Sequence, residues 1–546
     1  MFKTIAAWLT LACAASAGFL SARSDAAEPA AAFESAVAAL ATSNFKDKEK
    51  GVIALGQVQH PNTRAVLAAM LDGNLYYRRD DKRVFVVAAN DVALALIDPS
   101  TLKPAGAGDS ADFSKITTNN QLRKVLKSTL AGFDLANPDA DVRLAAVNEI
   151  QRSLDEDVVA LLMEREKVEA NGDVKDAIRA AIALAELSNE DVNVRLAAID
   201  KLKGSLSPEV YNRLTAITTR GEDGTYAEPD ERVRLAALEV KHSIESSRRF
   251  YATLETLFFG LSLGSVLVLA AIGLAITFGV MGVINMAHGE LMMLGAYTTY
   301  VIQLMFPQYI GASVLIAIPV AFLVSGAVGV LIERGVVRFL YGRPLETLLA
   351  TFGISLVLQQ VVRDIFSANN RPVETPQWMA GSMQINEAFS ITYNRLYVIV
   401  FMFIVFTLLQ LILRKTSLGL KVRAVAQNRS MARSMGVRTE WVDALTFGLG
   451  SGIAGVAGVA LSQLTNVGPN LGQQYIIDCF MVVVFGGVGN LWGTLIGGMS
   501  LGVVNQVLEP FAGAVLAKIL VLVALILFIQ RRPRGLFPQK GRAAEA

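Results

Sequence analysis

The spacing of hydrophobic positions changes near residue 250. Residues 28–250 carry Asp, Glu, Lys and Arg throughout, whereas 251–532 are dominated by Leu, Val, Ile, Ala, Gly, Phe and Met. From Thr256 to Ala287 there is no acidic or basic residue at all. Long apolar runs predict membrane-crossing helices at 254–279, 286–306, 311–333, 344–366, 397–413, 441–464, 474–488, 490–508 and 513–530. Several runs are near or below the usual length of about 20 residues, notably the two that flank "GGVGNLWG", so the expectation is eight or nine spans.

The first half has helical spacing of another kind. "DVRLAAV" at Asp141, "NVRLAAI" at Asn193 and "RVRLAAL" at Arg232 each place apolar residues at i, i+3 and i+4, and they start 52 and then 39 residues apart. This recurrence predicts stacked helix pairs of the HEAT type. Earlier, "GNLYYRRDDKRVFVV" (Gly73–Val87) sets aromatic and β-branched residues around Asp80-Asp81, the pattern of a β-hairpin. The expected fold is all-α: a HEAT-like helical domain with one small hairpin, then a polytopic transmembrane helix bundle.

The extreme N-terminus offers Lys3, an apolar stretch from Ile5 to Leu20 and then small residues. That is the pattern of a secretory signal peptide, with cleavage after Ala17 or Ala26. An uncleaved anchor, or lipidation at Cys13, is the alternative; Thr10 stands where a lipoprotein signal wants an aliphatic residue. The expected division is 1–26 signal peptide, 27–250 exported helical domain, 251–538 transmembrane domain and 539–546 cytoplasmic tail.

Charge fixes orientation more than it names partners. The formal net charge of +2 averages two unlike halves, and no basic tract points to nucleic acid. Arg334, Arg338 and Arg343 follow the third span. Arg414, Lys415, Lys421, Arg423, Arg429, Arg433 and Arg438 follow the fifth, and Arg531, Arg532 and Arg534 the last. All three loops are therefore expected in the cytoplasm, which puts residue 250 outside, as a signal peptide requires. Arg248 and Arg249 run against this assignment.

Glycines every fourth residue predict close helix contacts: Gly260 and Gly264, Gly448 and Gly452, and Gly489, Gly493 and Gly497. Enzymatic chemistry finds no foothold. There is no GxxxxGK[ST] phosphate loop. The three histidines, His60, His242 and His288, are far apart, and Cys13 and Cys479 form no metal motif or plausible disulfide. A transporter or channel is the class that remains, and ATP-derived energy would come from a separate chain.

"AIGLAITFGVMGVINMAHGELMMLGAY", "LLATFGISLVLQQVVRDIF", "RAVAQNRSMARSMGV", "VVVFGGVGNLWGTLIGG" and the closing "RRPRGLFP" follow one another across 251–538. In that order they resemble the permeases of branched-chain amino-acid and urea ABC importers. The long extension before the first span, with "GNLYYRRDDKRVF", resembles the urea branch. The resemblance implies an inner-membrane permease subunit that is not itself an enzyme and binds no cofactor. Its partners would be a second homologous permease completing the pathway, two cytoplasmic subunits holding ATP and Mg, and a periplasmic solute-binding protein. Urea is the implied solute, with branched-chain amino acids or short amides as the alternative. A passive channel with an exported regulatory domain, or a membrane-tethered interaction protein, is the reading from another class.

Two segments are expected to carry function. In Val422–Val437, Ala424, Ala426, Met431, Ala432 and Met435 line one side of a short helix ended by Gly436. By resemblance this is the coupling helix that docks on the ATPase; otherwise it is a solvated basic connector. In "VINMAHGELMML", Asn285 and His288 would share one face of a helix, with Glu290 nearly opposite. A break at Gly289 would relax that limit and give the three residues a place in the pathway or its gate. The plainer account makes Asn285 a helix cap and leaves His288 and Glu290 partly wet at the cytoplasmic interface. Asp478 and Trp492 are weaker pathway positions, and Gln359 and Gln360 are expected to bond between helices.

Overall fold

The computed structural model describes residues 31–537, apart from 59, 88–92, 153, 155 and 222–223. The expected signal peptide, with Cys13, and the expected tail 539–546 lie outside the described residues. The chain divides into two compact units, Met1–Ser246 and Ser247–Ala546.

The first unit begins with α1 (31–38), α2 (Phe45–Gln57) and α3 (Thr63–Leu71). The hairpin is present as β1 (Leu75–Arg78) and β2 (Val84–Val87), with Tyr76 opposite Phe85. Lys82, at φ 56°, turns the chain between them. The all-α expectation needs correcting. β3 (Ala93–Ile97), β4 (Pro104–Asp109) and β5 (Phe113–Lys115) extend the hairpin to a five-stranded antiparallel sheet in the order β4-β3-β2-β1-β5. Two of the three added strands, β3 and β4, read "ALALI" and "PAGAGD", nearly without the β-branched and aromatic residues that mark strands. Phe85, Val87, Leu94, Leu96 and Phe113 make its core.

Helices α4 (Asn120–Asp134), α5 (Ala140–Ile150), α6 (Glu156–Val168), α7 (Gly172–Glu186), α8 (Val192–Lys201) and α9 (Pro208–Thr218) follow. The recurring motif opens α5, α8 and α10 (Glu231–Met281). Each copy is held by the same device. Asp139, Asp191 and Asp230 accept backbone N–H groups two residues on, at 2.9, 2.9 and 2.8 Å, which satisfies helix-end donors. The arginine four residues later then reaches back to two carbonyls of the preceding loop. Arg143 donates to Asn137 and Pro138, Arg195 to Asn189 and Glu190, and Arg234 to Glu228 and Pro229, all at 2.7–2.9 Å.

Two of these arginines also clasp a buried carboxylate farther along the chain. Arg143 makes two bonds of 2.8 Å to Glu169, and Arg195 one of 2.9 Å to Glu228. The third, Arg234, lies 4.5 Å from the Tyr226 ring centroid instead. Hydrogen bonds from Arg143, with help from the Asn171 N–H and Arg165, hold the Glu169 carboxyl down at about 2 against the opposing effect of burial. The apolar positions of the motif go inward: Ala146, Val147 and Ile150 pack with Ile178 and Ala181, and Ala198 and Ile199 with Leu214 and Val233.

The second unit contains the C-terminal part of α10, α11 (His288–Met305), α12 (Ile310–Gly335), α13 (Pro344–Phe366) and α14 (Tyr393–Lys415). The hairpin β6 (Ser382–Asn386) and β7 (Phe389–Thr392) precedes α14 and was not foreseen. After it come α15 (Ser417–Gln427), α16 (Arg429–Ser434), α17 (Thr439–Ser462), α18 (Leu471–Gly486), α19 (Leu491–Ala512) and α20 (Ala514–Arg531). A helix occupies each of the nine apolar runs. Among the described residues, seven are long and apolar enough to cross a membrane: α10, α12, α13, α14, α17, α19 and α20. The helix α18 has 16 residues, about 24 Å of rise, and α11 carries the polar residues of the candidate site.

Glycine sets the helix spacing. A Cβ on Gly260 would lie 2.7 Å from the Val503 Cα, and one on Gly264 2.8 Å from the Met499 Cα, so α10 and α19 meet backbone to backbone. Gly448 and Gly452 receive Val330 and Phe322 of α12. Gly493 meets Gly486, and Gly497 meets Val482 and Gly486, closing α18 on α19. Gly489 differs from expectation: it is not on a helix but in the turn between these two, at φ 78°, where a side chain would be strained.

Candidate functional site

Helix α10 ends at Met281 and α11 starts at His288, with 282–287 non-helical between them. Gly282, at φ 67°, lets the chain leave the first helix. Asn285 therefore stands outside the helix, and the face it was expected to share with His288 does not exist. Its Oδ1 accepts the Ala287 N–H at 3.0 Å, a cap of the local kind. Asn285, His288 and Glu290 are all buried, at 0, 0 and 1 % exposure, so His288 and Glu290 are not partly wet.

The two ionisable side chains point to different helices. His288 Nε2 lies 2.8 Å from the Ala270 carbonyl on α10. Glu290 turns to α13, where Ser355 Oγ and Gln359 Nε2 donate to Oε1 at 3.0 and 2.7 Å. The structure thus does not bring His288 and Glu290 into one cluster. Gln359 bonds between helices, as expected; Gln360 does not, and its amide donates to Asp364 on its own helix at 2.8 Å.

Helix α13 anchors the whole break. Thr347, Thr351, Ser355 and Gln359 recur every fourth residue and are its buried polar side chains. Thr351 Oγ1 accepts the Met286 N–H at 3.1 Å and lies 3.4 Å from the Ile284 carbonyl, so it holds the non-helical segment directly. The stripe was visible in the sequence at 3.6-residue periodicity, but its polarity was hidden among longer apolar runs. Within this buried site, Asn285 Nδ2, His288 Nδ1 and Glu290 Oε2 have no hydrogen-bond partner. Buried polar atoms in that state are rare and costly.

The basic segment is two helices, not one. Asn428 interrupts Val422–Val437, with its Oδ1 accepting the Met431 N–H at 2.9 Å to start α16. Gly436, at φ 84°, ends α16, with the Val437 N–H donating to the Ala432 carbonyl, a Schellman-type stop. The expected docking face divides accordingly. Met431 and Met435 are exposed, at 61 and 78 %, and Ala424 and Gly436 are exposed too, with Ala426 half-buried. Ala432 points the other way and packs with Val422, Val425 and Val442.

This segment is tied to α17 and to the approach to α13. Arg429 forms an ion pair with Asp443, which is fully buried, and its guanidinium lies 4.2 Å from the Tyr341 ring centroid. Arg433 donates to Thr439 at 3.1 Å, and Arg338 pairs with Glu440 at 2.9 Å. The weaker sequence positions are elsewhere. Trp492 meets Phe406 edge-on at 5.1 Å, and Asp478 accepts from Lys518 of α20 at 2.9 Å.

The profile of the family described as branched-chain amino acid transport system / permease component matches residues 256–529. The chain belongs to this family. Over 301 residues it is 32 % identical to the high-affinity branched-chain amino acid transport system permease protein LivH of Escherichia coli K12, covering 53 % of this chain and 97 % of the relative. BraD of Pseudomonas aeruginosa, similarly described, is 31 % identical over 296 residues, 52 % of this chain and 96 % of the relative. A probable branched-chain amino acid transport permease protein LivH of Methanocaldococcus jannaschii is 28 % identical over 285 residues, 50 % and 88 % of the two chains. No solved structure matches. In this permease the matched span contains the broken α10–α11 segment, the α13 stripe and the α15–α16 pair, while the sheet and the arginine-clasped repeats precede it.

Proposed function

We propose that this permease is the membrane subunit of an ATP-driven importer and that its solute is urea. The observation that carries the reading is the break between α10 and α11, buried inside the family-matched span and lined by unpartnered hydrogen-bonding atoms of Asn285, His288 and Glu290. Interrupted helices in transporters present such groups where a solute passes. A neutral diamide needs hydrogen-bond donors and acceptors, and Asn285 Nδ2 and Glu290 Oε2 supply one of each. The preference for urea rests on the resemblance of the extension before the first span to that branch.

In the same reading a second, homologous permease completes the pathway. Two ATP-hydrolysing subunits, with their Mg, dock on the exposed Met431, Met435 and Ala424 of α15–α16. A solute-binding protein delivers from the other side. Basic residues gather at the ends of α12, α14 and α20, which favours nine crossings with those ends in the cytoplasm. The sheet and the HEAT-like repeats then lie outside the inner membrane, behind a cleaved signal peptide.

Branched-chain amino acids are the second reading, favoured by the names of the relatives. Uptake of radiolabelled urea and leucine, compared between a strain lacking this chain and one with it restored, separates the two. Urea uptake is expected to disappear with the chain and return with it while leucine uptake stays constant. Loss of leucine uptake alone would replace urea by the second reading.

A further inference from the structure

Away from the α10–α11 break, helices α10, α18, α19 and α20 line a cavity of about 170 Å³ that is open on one side. Its polar wall holds Asp478, Asn505, Glu509 and Lys518, and its apolar wall includes Leu263 and Leu267. Asn505 and Glu509 are one turn apart on α19 and so face the same side. Asp478 and Lys518 close on each other at 2.9 Å. Two carboxylates against one ammonium leave the wall one negative charge in excess.

The decisive detail is Asn505. It is 7 % exposed, lines the cavity, and its Oδ1 has no hydrogen-bond partner. The group that completes this wall must therefore donate a hydrogen bond to an amide oxygen and tolerate or prefer a nearby carboxylate. The cavity exceeds one water's share of about 30 Å³ several-fold, but it is too small for an acyl chain.

We infer that the α10–α18–α19–α20 cavity is a binding site for a compact N–H donor, an ammonium or amide nitrogen, held by Asn505 Oδ1 and Glu509. Lys518 is occupied by Asp478 and keeps that carboxylate oriented. Two sources present this chemistry: a free amide such as urea, and the amino headgroup of a phospholipid, with Leu263 and Leu267 beside its glycerol end. The site is independent of which solute crosses at the α10–α11 break.

The full-length chain in nanodiscs tests this with two probes. Native mass spectrometry of discs with equal phosphatidylethanolamine and phosphatidylcholine reads retained lipid. Equilibrium dialysis of phosphatidylcholine-only discs against radiolabelled urea reads the amide. Glu509→Gln changes an exposed residue and preserves folding; it is expected to weaken one probe about tenfold, the loss of a charge-assisted hydrogen bond. Asn505→Leu is expected to remove the Glu509-dependent part of the same probe's binding, while any urea held at the α10–α11 break stays bound. A response confined to the lipid assigns the headgroup, and one confined to urea assigns the free amide. Binding of both probes unchanged by Glu509→Gln, or binding of neither to the unaltered chain, overturns the inference.

Discussion

Replacing Gln359 by leucine tests whether the α13 stripe holds the broken helix. The substitution keeps an apolar stem of similar size and removes the 2.7 Å donor to Glu290 Oε1. Only Ser355, at 3.0 Å, then remains on that carboxylate, because Oε2 has no partner. Interhelical hydrogen bonds in membranes average about 0.6 kcal/mol and reach about 1.7, while bonds to charged groups in proteins are worth about 1.5–3. A short bond to a buried carboxylate with no spare donors belongs at the top of the membrane range, about 1.5 kcal/mol.

The assay is equilibrium unfolding of the purified chain in mixed micelles of rising SDS content, run as a double-mutant cycle with Glu290→Gln. Glutamine at 290 keeps an acceptor but no charge, so Gln359→Leu in that background is expected to cost only about 0.6 kcal/mol. The coupling is then about 1 kcal/mol. Strict additivity, within about 0.3–0.5 kcal/mol, would refute the charge-assisted bond and with it the anchoring role of Gln359.

Glu169 predicts a pH dependence for the first unit. Its folded-state value of about 2 lies below the ordinary carboxyl value of 4.5, so its contribution to stability is present above pH 4.5 and is lost as pH falls towards 2. Circular-dichroism melts across that window should show the loss, and Arg143→Met should flatten it. Met431→Glu and Met435→Glu, at exposed sites, should leave the purified permease folded yet abolish solute uptake, whereas Ala432→Glu, aimed into Val422, Val425 and Val442, should lower the yield of folded protein. Gly264→Leu should prevent folding altogether, since even a Cβ would sit 2.8 Å from a backbone atom of α19; recovery of normal amounts in the membrane would contradict this packing.

What could be read in advance followed from strong local periodicity. The apolar runs located nine helices because burial in lipid or protein demands unbroken apolarity, and the recurring RLAA located α5, α8 and the start of α10 because that spacing covers one helical face. The Tyr-Tyr and Val-Phe-Val-Val strands of β1 and β2 announced themselves by side-chain type. Strands β3 and β4 did not, because Ala and Gly adopt them only through pairing with neighbours far along the chain.

The site divides along the same line. Asn285, His288 and Glu290 stood out as polar residues in an apolar stretch, but helical geometry misplaced Asn285, since Gly282 had already ended the helix. The hold of Ser355 and Thr351 on that segment, from 65 to 67 residues away in sequence, depends on tertiary contact that spacing cannot show. Lys518 reads in sequence as one cation in an apolar run, and only tertiary contact shows it pairing with the buried Asp478. Ala432 reads as part of an exposed face only on a single continuous helix, whereas Asn428 starts a new one and turns it inward.

The arginine clasp has a bearing on which substitutions the first unit tolerates. Arg143 and Arg195 each grip the loop behind them and a carboxylate supplied farther on, so at two of the three motif copies one side chain ties separate stretches of chain together. Taking away either carboxylate while its arginine stays would leave a cation stranded in the interior. At the third copy the Tyr226 ring and two carbonyls hold the Arg234 guanidinium, so removing that ring is the gentler loss.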